Sequence, residues 1–338
     1  MKKLTTYITV FSLIVLFLPY IVVSAIKRGA EPDVSEYTDT AYFSDTDDNT
    51  EPEVETISHN VSSVPSSVSV YIKNEDKTVF IDTDEYIKGV VLAEMPSSFH
   101  SEALKAQAVA ARSCLYYNAE YYKTHQIPPE HNGAVICTDY NHCSAWRDIA
   151  GAGDEEKGKI SEAVDATKDI VMLYDGSPIN AVFHSTSSGT TESAEDVWGK
   201  NIPYLQSVAS MGDDLSPRYT SVYEADLQKF RESAEQNIKG VDWNNPLFSD
   251  IKRSSAGGII SIKIGGVEIS GSEFRRIYSL LSTNADIKEE DGKITISVKG
   301  YGHGVGMSQY GANYLASEGN SFESILKSYY SGVSVEKI

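Results

Sequence analysis

Two short runs, Val68–Ile72 and Thr78–Ile81, alternate apolar and polar positions on either side of the polar Asn74–Lys77. A period of two predicts a β-hairpin there. The period then lengthens. Ile87, Val90 and Val91 recur at helical spacing, with Asp84 as the expected N-cap and Pro96 as the stop. Glu94 follows these three by seven, four and three residues, so it belongs to the same apolar stripe, an unusual place for a carboxylate. A second helix is predicted over 101–123, rich in alanine, with Leu104, Ala108, Ala111 and Leu115 on one face. A helix near 156–168 and a hairpin of Ile170–Tyr174 with Ile179–Ser185 around "DGSP" follow. Further on, the pattern predicts helices at 223–236, 271–282, 306–317 and 321–330, and strands at 259–264, 293–299 and 332–337. Helices and hairpins interleave without a βαβ rhythm and without an internal repeat. The expected fold class is α+β, mixed helices and short antiparallel strands.

The amino terminus breaks this pattern. From Tyr7 to Ile26 no residue is charged and most are apolar, a length that spans the hydrocarbon of a bilayer. Lys2 and Lys3 precede the run and Lys27 and Arg28 follow it, flanks that suit a transmembrane anchor better than a cleaved signal; cleavage after Ser24 and Ala25 is the alternative. Residues 31–66 hold ten acidic residues and no Lys or Arg, with little to bury, and read as a disordered tether. The chain therefore divides into 1–28 (cytoplasmic stub and anchor), an acidic linker over 29–66, and an extracytoplasmic domain over 67–338. The formal net charge is −19. With four cationic side chains before residue 31 and the ten acidic ones of the linker set aside, −13 remains for the domain. Such a surface is a poor partner for nucleic acid or for anionic lipid.

Three clusters carry candidate chemistry. The first is Glu94 with Lys105, Gln107 and Arg112 on the helix after it. The second is "FHSTSSGTTESAEDVWG", with His184, Ser188 and Trp198. The third is "KGYGHGVGMSQYGANYLA", a glycine loop holding His303 that opens onto a helix. Each has a plain structural reading: Glu94 pairing with Arg112, His184 as a core histidine, Trp198 as core. The glycine loop lacks the Lys-Ser/Thr of a phosphate-binding loop. A fourth group, "HNGAVICTDYNHCSAW", gathers His131, Cys137, His142 and Cys143 within thirteen residues. Two thiolates and two imidazoles form a tetrahedral zinc set. Adjacent His142 and Cys143 reach one ion only across a turn, which Asp139, Tyr140 and Asn141 are suited to make; water is the alternative to His142 as fourth ligand. The competing outcome is a 137–143 disulfide with Cys114 left as a small buried residue.

Taken in order, "AEMPSSFHSEALKAQAVAARS", "FHSTSSGTTES" and "GYGHGVGMSQYGA" resemble the stage II sporulation protein D family of peptidoglycan lytic transglycosylases, over essentially residues 67–338. "STSSG" departs from the paired glycines often found there. The resemblance implies a glycan-binding cleft in which Glu94 is the acid/base. A carboxyl held against apolar side chains is expected to keep a transferable proton near the working pH. It would protonate the oxygen between N-acetylmuramic acid and N-acetylglucosamine, the muramic acid 6-hydroxyl closing a 1,6-anhydro ring. One carboxyl then suffices where a hydrolase needs two. Lys105, Gln107, Arg112, His184, Ser188, Trp198 and His303 are expected around the glycan. The resemblance also implies work on peptide-stripped glycan strands during engulfment in sporulation, at a cell membrane spanned once, in the space between mother cell and forespore. The implied partners are stage II sporulation proteins P and M. The competing function is a non-catalytic enhancer of a cell-wall amidase.

Overall fold

A computed structural model describes residues 65–139 and 142–338. The segment expected to anchor the chain and the linker as far as residue 64 lie outside the described residues. Among the described residues no helix is long and apolar enough to cross a membrane.

The alternating start folds as expected. β1 (Ser67–Ile72) pairs antiparallel with β2 (Lys77–Asp82), the turn between them closing on Asp76 in the left-handed region (φ 47°). Helix α1 (Thr83–Glu94) begins one residue before the expected cap: Asp82, not Asp84, accepts the amides of Asp84 and Glu85 (3.0 and 3.2 Å). Asp84 sits in the first turn and pairs instead with Arg112 and Lys168 (3.5 and 3.3 Å). Met95 ends α1 ahead of Pro96, and α2 (Ser101–Tyr121) follows, capped by the His100 ring. A loop then runs through β3 (Ile136–Cys137), which lies parallel to β1, and leads to α3 (Asp154–Ala166).

Ala103, Ala106, Ala108, Val109, Ala110 and Ala111 of α2 are almost fully buried, so the helix is enclosed on most of its circumference. Small side chains let its neighbours approach closely. Arg112 is buried there too (1 % exposed) and its guanidinium donates to the carbonyls of Thr167, Ile170 and Val164 (2.8, 3.3 and 3.5 Å). It thereby ties α2 to the carbonyls at the end of α3 and the start of the next strand. Burial lowers the Arg112 pKa, opposed by Asp84.

Past α3 the expected hairpin is only half formed. β4 (Ile170–Tyr174) pairs with the short β5 (Ser177–Pro178) and with the terminal β14 (Ser334–Lys337). The chain then leaves the hairpin, and β6 (Phe183–His184) runs parallel to β13 (Met307–Ser308). The expected all-antiparallel pattern thus has two parallel exceptions, because strands distant in the chain are joined around α2. These elements, with α4 (Ala194–Trp198), α7 (Gln309–Ser317) and α8 (Phe322–Tyr329), enclose the first hydrophobic core.

Between α4 and α7 the chain builds a second core. The helix expected at 223–236 is β7 (Thr220–Asp226) followed by α5 (Leu227–Asn237). β7 edges a sheet of order β11-β12-β7, with β11 (Ala285–Glu290) and β12 (Lys293–Lys299). β8 (Phe248–Arg253), β9 (Ile259–Ile264) and β10 (Val267–Ser270) form another antiparallel sheet, and α6 (Gly271–Ile277) follows it, shorter than the expected 271–282. Phe230, Phe274, Tyr278, Ile262 and Ile296 lie at its centre. The architecture is α+β, eight helices with five small sheets among the described residues.

Candidate active site and metal centre

Glu94 is the last residue of α1 and is only 1 % exposed. Its carboxylate accepts the backbone amide of Ala145 at 2.6 Å. Ala145 lies two residues beyond Cys143, so the loop that carries the Cys/His group also clasps this carboxylate. The Trp146 indole then lies against Gly89, where any Cβ would collide with it, and Arg147 N–H bonds the Gly89 carbonyl (3.2 Å). A glycine at this position of α1 is what lets the loop run so close.

The four residues His131, Cys137, His142 and Cys143 place their donor atoms within 4.8 Å of one another. His131 Nε2 is 3.0 Å from His142 Nδ1 and 3.1 Å from Cys143 Sγ; His142 Nδ1 is 3.5 Å from Cys143 Sγ and 3.6 Å from Cys137 Sγ. Tetrahedral bond lengths of about 2.0 Å to nitrogen and 2.3 Å to sulfur require separations of roughly 3.3 Å between nitrogens and 3.6 Å between nitrogen and sulfur. The observed spacings are close to these, and the group could hold a metal ion. Local structure explains the convergence. His131 Nδ1 donates to the Ala134 carbonyl (3.2 Å), which turns Nε2 toward the group. Pairing of β3 with β1 fixes Cys137. The Asp139 carbonyl accepts both His142 N–H and Cys143 N–H (3.0 and 2.7 Å), the turn that adjacent ligands need. None of the three cysteines forms a disulfide. The Cys137 thiol is held well below the ordinary range by the hydrogen bond from Cys143, with further help from His131 and His142, and Cys143 is pushed up by the same pairing.

The other two motifs meet in a buried network. His184 Nδ1 donates to the Val305 carbonyl (3.1 Å). His303 Nε2 donates to the Phe183 carbonyl and its Nδ1 accepts Val305 N–H (both 3.0 Å), a neutral imidazole with its proton on Nε2. Trp198 lies beside His303, ring centres 5.3 Å apart. Gln309 Nε2 reaches Gln107 Oε1 at 3.5 Å, joining the first motif to the third. Gly306 is in the left-handed region (φ 71°) with the Val182 carbonyl where a Cβ would stand, so this loop tolerates no side chain there. Ser188 Oγ bonds the Ala256 carbonyl (3.2 Å), and Lys105 pairs with Glu102 (2.7 Å).

Two buried carboxylates hold the motifs and carried no periodic signal in the sequence. Asp213 (1 % exposed) accepts Ser187 N–H and Oγ and Ser308 Oγ, while Ser308 caps α7. Glu192 accepts Gly258 N–H (3.1 Å) from the second core, and its backbone amide bonds the Gly304 carbonyl (2.8 Å). Burial raises both carboxyls above their ordinary values, against the pull of these donors. A cavity of about 60 Å³ lies between α2, the Cys/His loop and the approach to β6. Of the candidate site residues named from sequence, His131, His142 and Cys143 line it; Glu94, Lys105, Gln107, Arg112, Cys137, His184, Ser188, Trp198 and His303 do not.

Fold and site define an α+β protein with the buried Glu94 beside a group of four donors that could hold a metal ion. Comparison with known proteins places it among relatives. The profile of a family described as "Stage II sporulation protein" matches residues 71–174. Stage II sporulation protein D of Bacillus amyloliquefaciens is 35% identical over 279 residues, 81% of this chain and 79% of that protein. Its counterpart in Bacillus subtilis (strain 168) is 31% identical over 344 residues, 100% of this chain and 96% of that one. The amidase enhancer of B. subtilis (strain 168) is 31% identical over 300 residues, 74% of this chain and 40% of that protein. The chain belongs to the stage II sporulation protein D family.

Proposed function

We propose that the protein is a lytic transglycosylase that cleaves peptide-stripped peptidoglycan strands during engulfment, with Glu94 as acid and then base. The observation that carries the reading is the placement of Glu94: a buried carboxyl at the end of α1 that accepts a backbone amide of the Cys/His loop. It donates its proton to the glycosidic oxygen, then takes the proton of the muramic acid 6-hydroxyl as that oxygen attacks the anomeric carbon. The products are a free 4-hydroxyl on the leaving sugar and a 1,6-anhydro end. With Glu94 so nearly closed off, glycan reaches it through movement of the surrounding loops.

His131, Cys137, His142 and Cys143 would hold zinc in a closed, structural site that fixes the start of the loop. Residues 7–26 would anchor the domain outside the cytoplasm, where a cell-wall substrate and sporulation partners such as the P and M proteins are met. The relation to an amidase enhancer supports a second reading, a partner that stimulates another hydrolase without cutting glycan. Mass analysis of peptide-free glycan after digestion separates the two. The first reading expects 1,6-anhydro ends from the purified protein alone; glycan left intact, with faster release of stem peptides when an amidase is added to peptide-bearing wall, supports the second.

A further inference from the structure

We propose that β7 is a docking edge for a second copy of this chain: two β7 strands pair antiparallel about a two-fold axis at Val222 and join their sheets into one. β7 lies at the edge of the sheet of order β11-β12-β7. The bonds at its two ends fix its phase. Leu227 N–H donates to the Gly292 carbonyl (2.9 Å) and Gly300 N–H to the Tyr219 carbonyl (2.7 Å), so the odd-numbered positions exchange bonds with β12. Thr220, Val222, Glu224 and Asp226 therefore turn their N–H and C=O groups away from β12. Among the described residues no other backbone group bonds them. A regular edge of seven residues without proline or lysine is a template for another strand. Val222, near its middle, is 61 % exposed.

Charge selects the occupant. In the register centred on Val222, that side chain meets Val222 of the second copy, and Thr220 meets Glu224 of the second copy. Arg218, in the turn just ahead of β7, comes beside Asp226 of the second copy, and the axis repeats the contact. Among the described residues neither Arg218 nor Asp226 makes an ion pair within the chain; Arg218 lies over the Tyr301 ring, 5.5 Å from its centre. The Asp226 side chain, ahead of α5, makes no capping bond and is available. Residues 218–299 carry equal numbers of acidic and basic residues, while the rest of the domain carries −13. Two copies that meet through the balanced part avoid the repulsion between the acidic ones. The chain's own segment 31–66, with ten acidic residues and no Lys or Arg, is a poor strand to lay beside Glu224 and Asp226. Other edges of the second core suit pairing less. β10 has four residues, β8 is broken by register shifts, and β11 ends in Lys288, Glu289 and Glu290. β2, with the exposed Phe80, belongs to the acidic part.

The test is sedimentation equilibrium of the full-length protein, in detergent matched to the solvent density, over a range of concentrations. A monomer–dimer equilibrium is expected. Val222→Lys sets two ammonium groups against each other on the axis and is expected to weaken dimerisation at least about tenfold. The side chain it replaces is exposed, so the second core keeps its packing, which circular dichroism checks. Arg218→Glu and Asp226→Arg are each expected to weaken dimerisation about tenfold, because the axis repeats each clash. The variant carrying both exchanges the two charges and is expected to regain the parental affinity to within about threefold. That rescue is specific to antiparallel pairing of like strands in this register. Should Val222→Lys fail to fold, the charge reversals carry the test alone. A parent that stays monomeric overturns the proposal and leaves the edge to a strand of another protein. A dimer that Val222→Lys leaves unchanged, or a double variant no tighter than the single ones, overturns it as well.

Discussion

At the scale of single residues, the Cys/His group makes the sharpest demand. The hydrogen bond that Cys137 and Cys143 share holds the Cys137 thiol below its ordinary range and pushes the Cys143 thiol up, so Cys143 keeps its proton the longer. A divalent ion replaces that proton and needs both sulfurs as thiolates, so metal uptake releases protons. Cys137→Ala and Cys143→Ala are expected to lose zinc and glycan cleavage together. Cys114→Ala, whose thiol faces Asn180 instead, is expected to keep zinc. Elemental analysis of protein purified without chelator checks this; absence of zinc with a mapped 137–143 disulfide would contradict it. Glu94 belongs to the same account, because the loop fixed at Cys143 delivers the Ala145 amide to its carboxylate.

At the scale of elements, Glu192 ties the strand and turn segments of the two cores. It bonds Gly258 between β8 and β9 through its side chain and Gly304 of the glycine loop through its backbone. Burial raises its carboxyl above the unfolded value, so its contribution to stability is whole below the ordinary carboxylate range and is lost as pH rises through the folded pKa. Glu192→Gln keeps the acceptor for Gly258 without the charge. Its melting temperature is expected to match the parent's at acid pH and to exceed it near neutrality, whereas Glu192→Ala should cost about 2 kcal/mol. Thermal unfolding across pH measures both; a Gln variant less stable than the parent at neutral pH would count against the assignment. The same comparison shows what the chain makes legible. Helices α1 and α2 were readable because their apolar positions repeat at helical spacing over several turns. β7 was misread as helix because Val222, Glu224 and Asp226 face outward and only pairing with β12 decides its form. The parallel contact of β6 with β13 joins residues more than a hundred positions apart, which no local pattern encodes. At the site, the ligand group and Glu94 were legible as motifs. Asp213 and Glu192 were not, since an isolated acidic residue in a polar loop looks the same whether buried or exposed.

At the scale of the whole molecule, the two cores differ in charge. Residues 218–299 hold twelve Lys and Arg against twelve Asp and Glu, so the entire −13 of the domain falls on the part that carries Glu94, the Cys/His group and the cavity. That part repels acidic polymers. Membership of the stage II sporulation protein D family sets the biological frame, and the proposed chemistry turns on Glu94. The direct test is the Glu94→Gln protein, which keeps the acceptor for the Ala145 amide and loses the transferable proton. Incubated with peptide-free glycan strands, it is expected to fold and retain zinc as the parent does while releasing 1,6-anhydro ends at least about a hundredfold more slowly. Release of those ends at the parental rate would contradict the account.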